Sequence, residues 1–297
     1  MRSVFALLAL SLVLVAAGCG GGGSNNTTST TTTTTTSGSA SDPASLVPAK
    51  LKAKGELTLG TDPTYPPMES IAADGKTIEG ADVDLANAFF KELGLKVHVV
   101  KASFDGIIPG LKNSVKYDLA MSAMTDNKER EAVIDFVTYF SAGTSFYVKT
   151  GGPTINSLAD LCGHSVGVER GTTQESASKE QSVKCRKAGK PAVTVNSYPD
   201  QNAANLSVSS GRSEVGMADS PVVAEIVKQS NGKFESTGAK FATAPYGIAL
   251  PKNSGLAPAM LAAVKKSMAD GTYTAVLKKW GISSGAITNP KINGAVS

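Results

Sequence analysis

From Leu51 onward, apolar and polar positions alternate between a strand-like and a helix-like rhythm. Residues 56–60 predict a short strand ending in a turn over 61–67. Residues 82–93 place Val83, Leu85, Ala86, Phe89, Phe90 and Leu93 at helical spacing, closed by Gly94. A β-rich run at 95–100, a short apolar-faced helix at 104–111 and a buried-strand candidate at 117–121 follow. The rhythm restarts after Gly151-Gly152-Pro153. A short helix at 157–161 is followed by a strand at 165–168 and a polar helix from Gln174. Strands at 193–198 and 214–218 then alternate with helices at 201–209 and 221–228. A strand at 246–250 precedes two helices within 256–280, packed through Met260, Leu261, Val264, Met268, Val276 and Leu277. The alternation predicts an α/β fold with mainly parallel pairing, in two units of similar size plus a helical C-terminal piece.

The first fifty residues have a different texture. Met1-Arg2 precedes an apolar run over 4–17 broken only by Ser11, too short to span a bilayer. Ala16-Ala17-Gly18 and then Cys19 give a secretory signal with a lipobox, cleaved before a Cys that is lipidated; an ordinary signal with a chance Cys is the alternative. Residues 20–48 are Gly, Thr, Ser and other small polar types without a periodic apolar face. Residues 1–18 thus read as signal peptide and 19–50 as lipid anchor and disordered linker, reaching about 30 Å on average as a random coil.

Composition adds mostly exclusions. Of 297 residues, 41% are hydrophobic and 18% charged, ordinary for a globular protein. The net charge of +4 is dispersed, and removing Arg2 with the signal leaves 28 basic against 25 acidic side chains. No polyanionic partner, and no nucleic acid, is implied.

Several polar residues fall where the predicted strands end: Asp62, 122–125, Thr172-Thr173 and Asp219. Each alone is equally a helix cap. Together they favour one cleft, because open α/β sheets bind ligands beyond the carboxyl ends of their strands.

At these positions the chain resembles the family-3 extracellular solute-binding proteins, the amino-acid-binding proteins and lipoproteins of ABC importers. The runs that carry the resemblance are LGTDPTYPP at 59–67, GADVDLA at 80–86 and FDGIIPGL at 104–111. Tyr117-Asp118, SAMT at 122–125 with Arg130, GTTQE at 171–175, YGIA at 246–249, and GTY at 271–273 with Lys279-Trp280 complete them. Met68 departs from the usual Phe and Ala81 from the usual aromatic, and residues 135–140 lack the usual Ser and Pro. The resemblance implies a type II periplasmic-binding-protein clamp crossed twice by the chain. Lobe 1 would hold 51–145 and 243–290, and lobe 2 would hold 146–242. Hinge closure would bury an amino acid between them.

The resemblance also implies a division of labour. Arg130 would bind the α-carboxylate with its planar fork, assisted by Thr125 and Thr173. Ser122, in the segment with Ala123, would accept the α-ammonium through its carbonyl, and Asp219 would pair with it; as a plain reading, Asp219 caps the helix that begins Ser220-Pro221. Tyr65 and Phe104 would sandwich the aliphatic part, and Asp62 and Glu169 would approach the side chain. With the zwitterion neutralised, two carboxylates remain unpaired, which favours a cationic or polar side chain.

With Cys19 assigned to lipid, Cys162 and Cys185 form an even pair in an exported chain, which predicts a disulfide. Metal binding with His164 is the alternative, and needs more ligands than Cys-Gly-His offers. No cofactor and no metal are expected. The expected partners are an ABC permease and, through the lipid, the outer face of a bacterial cell membrane, with the protein itself a monomer. The rival from another class is a cleft enzyme of the same fold, a dehydratase of aromatic amino-acid synthesis with Glu169 as general acid. A sensor ectodomain is the third reading, disfavoured by the lack of a downstream span before Ser297.

Overall fold

A computed structural model describes residues 42–112 and 116–296; the signal, lipobox and linker up to residue 41 lie outside them. In chain order the strands are β1 (Glu56–Thr61), β2 (Thr64–Tyr65), β3 (Glu69–Ile71), β4 (Ile78–Glu79), β5 (Lys96–Lys101) and β6 (Leu119–Ala120). They continue as β7 (Ile134–Lys149), β8 (Ser165–Glu169), β9 (Thr194–Tyr198), β10 (Val215–Asp219) and β11 (Phe234–Pro251). The helices are α1 (Ala49–Lys52), α2 (Ala81–Leu93), α3 (Phe104–Lys112), α4 (Lys128–Glu131) and α5 (Thr173–Lys187). Next come α6 (Gln201–Ser209), α7 (Ser220–Gln229), α8 (Ala257–Ala269) and α9 (Thr272–Lys279).

Eight strands run in the order β5-β1-β6-β11-β7-β10-β8-β9, and β2-β3-β4 form a small separate sheet. β1 pairs parallel with β5 and β6, and β8 pairs parallel with β9 and β10. Between these two groups lie the long strands β7 and β11, antiparallel to each other and to β10 and β6 respectively. The expected mainly parallel sheet is therefore mixed. The two antiparallel strands are the two chain crossings, one leaving the first group and one returning to it.

The predicted apolar face of α2 is all buried, and Gly94 ends the helix at φ 64°, its N–H reaching back to Lys91 and Phe90 carbonyls. Two fully buried phenylalanines on that face, Phe89 and Phe90, contribute about 2 kcal/mol each from apolar burial. Gly80, just ahead of α2, has φ 144°, and a Cβ there would lie 2.1 Å from the Met68 carbonyl oxygen. Only glycine fits, and this close approach lets the Asp82 N–H donate to the Met68 carbonyl at 2.9 Å. A second core, around Phe146, Val148, Leu161, Val166, Val168 and Met217, underlies β8 and β10.

Three expectations need correction. Residues 42–50 are not the end of the linker: Pro43–Leu46 form a 3₁₀ turn, α1 starts at Ala49, and Pro43 and Val47 are buried. The reason is that Val47 is buried as part of the main hydrophobic core. The strand expected over 246–250 is the last third of β11, and β7 was not expected at all. The C-terminal boundary at 290 also falls short, since Ile292 bridges Val137 and Asn293 Oδ1 accepts the Phe136 N–H at 2.8 Å. Cys162 and Cys185 are joined, with Cα atoms 5.6 Å apart. His164 faces Glu214 at 3.2 Å, and no group of three metal-ligating side chains occurs among the described residues.

Candidate functional site

The ends of β1, β6, β8 and β10 meet the starts of α3 and α5 around one cavity. Asp62, Tyr65, Phe104, Ser122, Ala123, Thr125, Arg130, Glu169, Thr173 and Asp219, all ten sequence candidates, line it. The cavity is nearly filled by its own lining, with about 10 Å³ left free. Thr172, one of the strand-end residues expected at a cleft, also lines it, as do Glu69 and Gln174, which the sequence does not single out.

At one end stands Arg130, held by the short helix α4, whose Asn127 side chain caps the Arg130 N–H. Its Nη1 donates to the Thr125 carbonyl at 2.8 Å and its Nη2 to the Gly171 carbonyl at 3.0 Å. The guanidinium thus links the first strand group to the turn after β8, and it stacks 5.5 Å over the Phe104 ring. It is only 8% exposed. Burial pulls its pKa down to about 10, opposed by the charges of Asp219, Glu129 and Asp126. A buried cation with planar donors beside the start of α5 (Thr172 caps that helix) has the chemistry to receive an anion.

Asp219 ends β10. It stands at the N-cap position of α7 but makes no cap bond with its side chain. Instead its Oδ1 accepts from Gln174 at 2.8 Å, and its N–H donates to the Tyr65 hydroxyl at 2.9 Å. Burial raises its carboxyl to about 6, with hydrogen bonds and the Arg130 charge pulling the other way. Gln174 also donates to Thr144 at 3.0 Å. The missed residue Gln174 therefore aims the Asp219 carboxylate, and its signal was its place in the GTTQE run.

Asp62 follows β1 and is held from three sides. Its N–H donates to Ser122 Oγ at 2.9 Å, and its carboxylate accepts from Thr64 Oγ1 and the Phe104 N–H, each at 2.9 Å. Burial raises its pKa and these bonds lower it. Glu169 ends β8 at 2% exposure, and its Oε1 is buried with no hydrogen-bond partner. Its pKa is well above the usual range, through burial first and then the Asp62 charge.

Beneath the cavity lies a second carboxyl pair. Glu69 Oε1 accepts from Ser122 Oγ at 3.1 Å, while Asp82 accepts from the Ala123 N–H and the Tyr139 hydroxyl at 2.8 Å. Both acids are buried; burial holds Asp82 at about 6 and Glu69 well above its ordinary value, the latter also through Asp82. Ala123 has φ 46°, an uncommon conformation for a residue with a side chain. The pair fixes the Ser122-Ala123 turn from below.

A sheet crossed twice, with a charged cavity between its two strand groups, defines a clamp-type solute receptor. Residues 57–283 match the bacterial extracellular solute-binding proteins, family 3, and the chain belongs to that family. It is 33% identical over 250 residues to the arginine-binding protein ArgT of Corynebacterium glutamicum, covering 84% of this chain and 82% of that one. It is 32% identical over 234 residues to the L-cystine-binding protein TcyJ of Escherichia coli, covering 78% and 84%. Among solved structures, an ancestral arginine-binding protein bound to glutamine superposes with a TM-score of 0.69 at 38% identity, covering 77% of this chain and 98% of that one. An ancestral arginine-binding protein bound to arginine matches with the same TM-score and identity, covering 76% of this chain and 98% of that one. These relatives are binding proteins, and the dehydratase reading is not favoured.

Proposed function

We propose that the protein is an extracytoplasmic receptor that takes up a cationic amino acid, of the arginine and lysine class, and presents it to an ABC permease. The observation that carries this reading is the charge pattern of the cavity. Arg130 and Asp219 stand ready for the α-carboxylate and α-ammonium, and Asp62 with Glu169 supplies two buried acids that a side-chain cation would hold ionised. Thr125 and Thr173 complete the carboxylate end, and the Ser122 carbonyl completes the ammonium end. Tyr65 and Phe104 flank the aliphatic chain. Relatives named for arginine support the class; the relative named for cystine marks the alternative to test.

In the same reading, residues 42–145 and 243–296 move as one lobe and 146–242 as the other, with β7 and β11 as hinges. Signal cleavage before Cys19 and its acylation, for instance with palmitate, leave a monomer tethered to the outer face of the cell membrane. A thermal-shift panel of amino acids tests the ligand class: arginine or lysine gives the largest rise, since binding stabilises by RT ln(1+[L]/Kd). A larger rise with cystine, glutamine or glutamate refutes the charge argument. The anchor is tested by Cys19→Ser, which should release the protein from membranes into the soluble fraction.

A further inference from the structure

Glu169 and Asp62 come from opposite strand groups, with β6, β11, β7 and β10 between their strands in the sheet. Both line the one cavity, at 2% and 3% exposure. Asp62 has a donor on each carboxylate oxygen, whereas Glu169 Oε1 has none among the described residues. The charges that act on Glu169 are those of Asp62, Asp200 and Asp219; Tyr65 lines the same cavity, and burial keeps its hydroxyl protonated. Arg130 is engaged at the other end, with Thr125 and Gly171. Lys101 is exposed, and its charge acts on Asp62 but not on Glu169. The arrangement therefore sets a buried carboxyl group with one unpartnered oxygen against the Asp62 carboxyl, where only a shared proton or a cation could join the two.

We propose that Glu169 decides between charged and neutral ligands: the cleft closes only when a ligand cation lies between Glu169 and Asp62, or when a proton occupies one of them. The inference rests on the amino-acid-receptor reading above and deepens it. In the open clamp the two carboxylates stand apart in water and ionise near their ordinary values. Closure brings them together and dries them, so an ionised pair opposes it. A guanidinium or ammonium removes the opposition by pairing. A neutral side chain of the same shape does not, and its binding must draw one proton from solvent onto the pair.

Citrulline is the neutral isostere of arginine, with a urea in place of the guanidinium, and calorimetric titrations with both ligands between pH 5.5 and 7.5 give the test. Uptake of one proton makes citrulline bind up to about tenfold tighter for each pH unit of acidification, while arginine changes less than threefold. Repeating the citrulline titration in buffers of different ionisation enthalpy should count up to one proton taken up. Glu169→Gln should make citrulline binding independent of pH and narrow the arginine-to-citrulline ratio at pH 7.5 by tenfold or more. The wild-type pH series needs no variant to fold. Arginine binding with a citrulline affinity that is flat, or undetectable throughout, overturns this inference and leaves the receptor reading standing. Failure of arginine itself to bind overturns both.

Discussion

Replacing Arg130 with alanine separates binding from folding. Burial lowers the guanidinium pKa from 12.5 to about 10, which corresponds to roughly 3 kcal/mol disfavouring its charge in the closed cleft. The bonds to the Thr125 and Gly171 carbonyls at 2.8 and 3.0 Å offset part of that cost. Removing the side chain therefore relieves a buried charge as well as losing two bonds, and the free protein should change its stability by no more than about 1–2 kcal/mol. Ligand affinity should fall much further. An α-carboxylate brought into this cavity loses a charge-assisted pair in a dried site, a loss of about 3–5 kcal/mol, or roughly 150- to 5,000-fold in Kd. Arg130→Lys should recover only part, because a single ammonium does not reproduce the planar fork. Isothermal titration with the best ligand from the amino-acid panel gives the affinity, and a melting curve without ligand gives the stability. A tenfold or smaller rise in Kd, or a collapse of the free protein's melting temperature, refutes the assignment of Arg130 to ligand rather than to structure.

Two further predictions concern stability. The Cys162–Cys185 bridge spans 23 positions and Cys185 lies in the core under β8, so the double Ser variant should lose about 3 kcal/mol and roughly 6–12 °C of melting temperature; a loss under 2 °C by differential scanning fluorimetry refutes it. Asp82 titrates at about 6 in the folded protein against 3.8 ordinarily. The folded state thus holds the extra proton between about pH 4 and 6, and this carboxyl makes stability fall as pH rises through that window. Asp82→Asn removes the titration and keeps an acceptor for the Ala123 N–H, so its melting temperature minus that of the parent should become more positive from pH 4 to 6.5. A difference that is flat with pH refutes the raised Asp82 pKa.

How far the fold was legible follows from what each element does with its two faces. α2, α6 and α8-α9 bury one stripe and wet the other, so their apolar spacing marks them in the sequence. β7 is buried along nearly its whole length on both faces, which erases the alternation that marks a strand. β11 fails in the opposite way. Its first eleven residues are mostly exposed, and only the stretch from Tyr246 is buried, so polarity conceals the strand until it enters the core. The two crossings, which make the molecule a clamp, were visible only through family resemblance. The turn at Pro43–Leu46 was hidden by its small polar neighbours, although one buried valine suffices to draw it onto the core.

The cavity was more legible than the strands that carry it, because strand ends collect polar residues that have no other use there. What sequence does not encode is which of two uses a carboxylate finds. Asp219 precedes Ser220-Pro221 at the mouth of a helix, a placement that reads as capping. Proline in the first turn removes one of the N–H groups a cap would serve, and so weakens the demand on that side chain. Gln174, arriving from the first turn of α5, then takes Asp219 Oδ1, and the Tyr65 hydroxyl accepts the Asp219 N–H. The carboxylate is thereby turned into the cavity, opposite Arg130. The helix gives up a cap so that the cleft can keep a counter-charge, and that exchange depends on a glutamine 45 residues away in sequence.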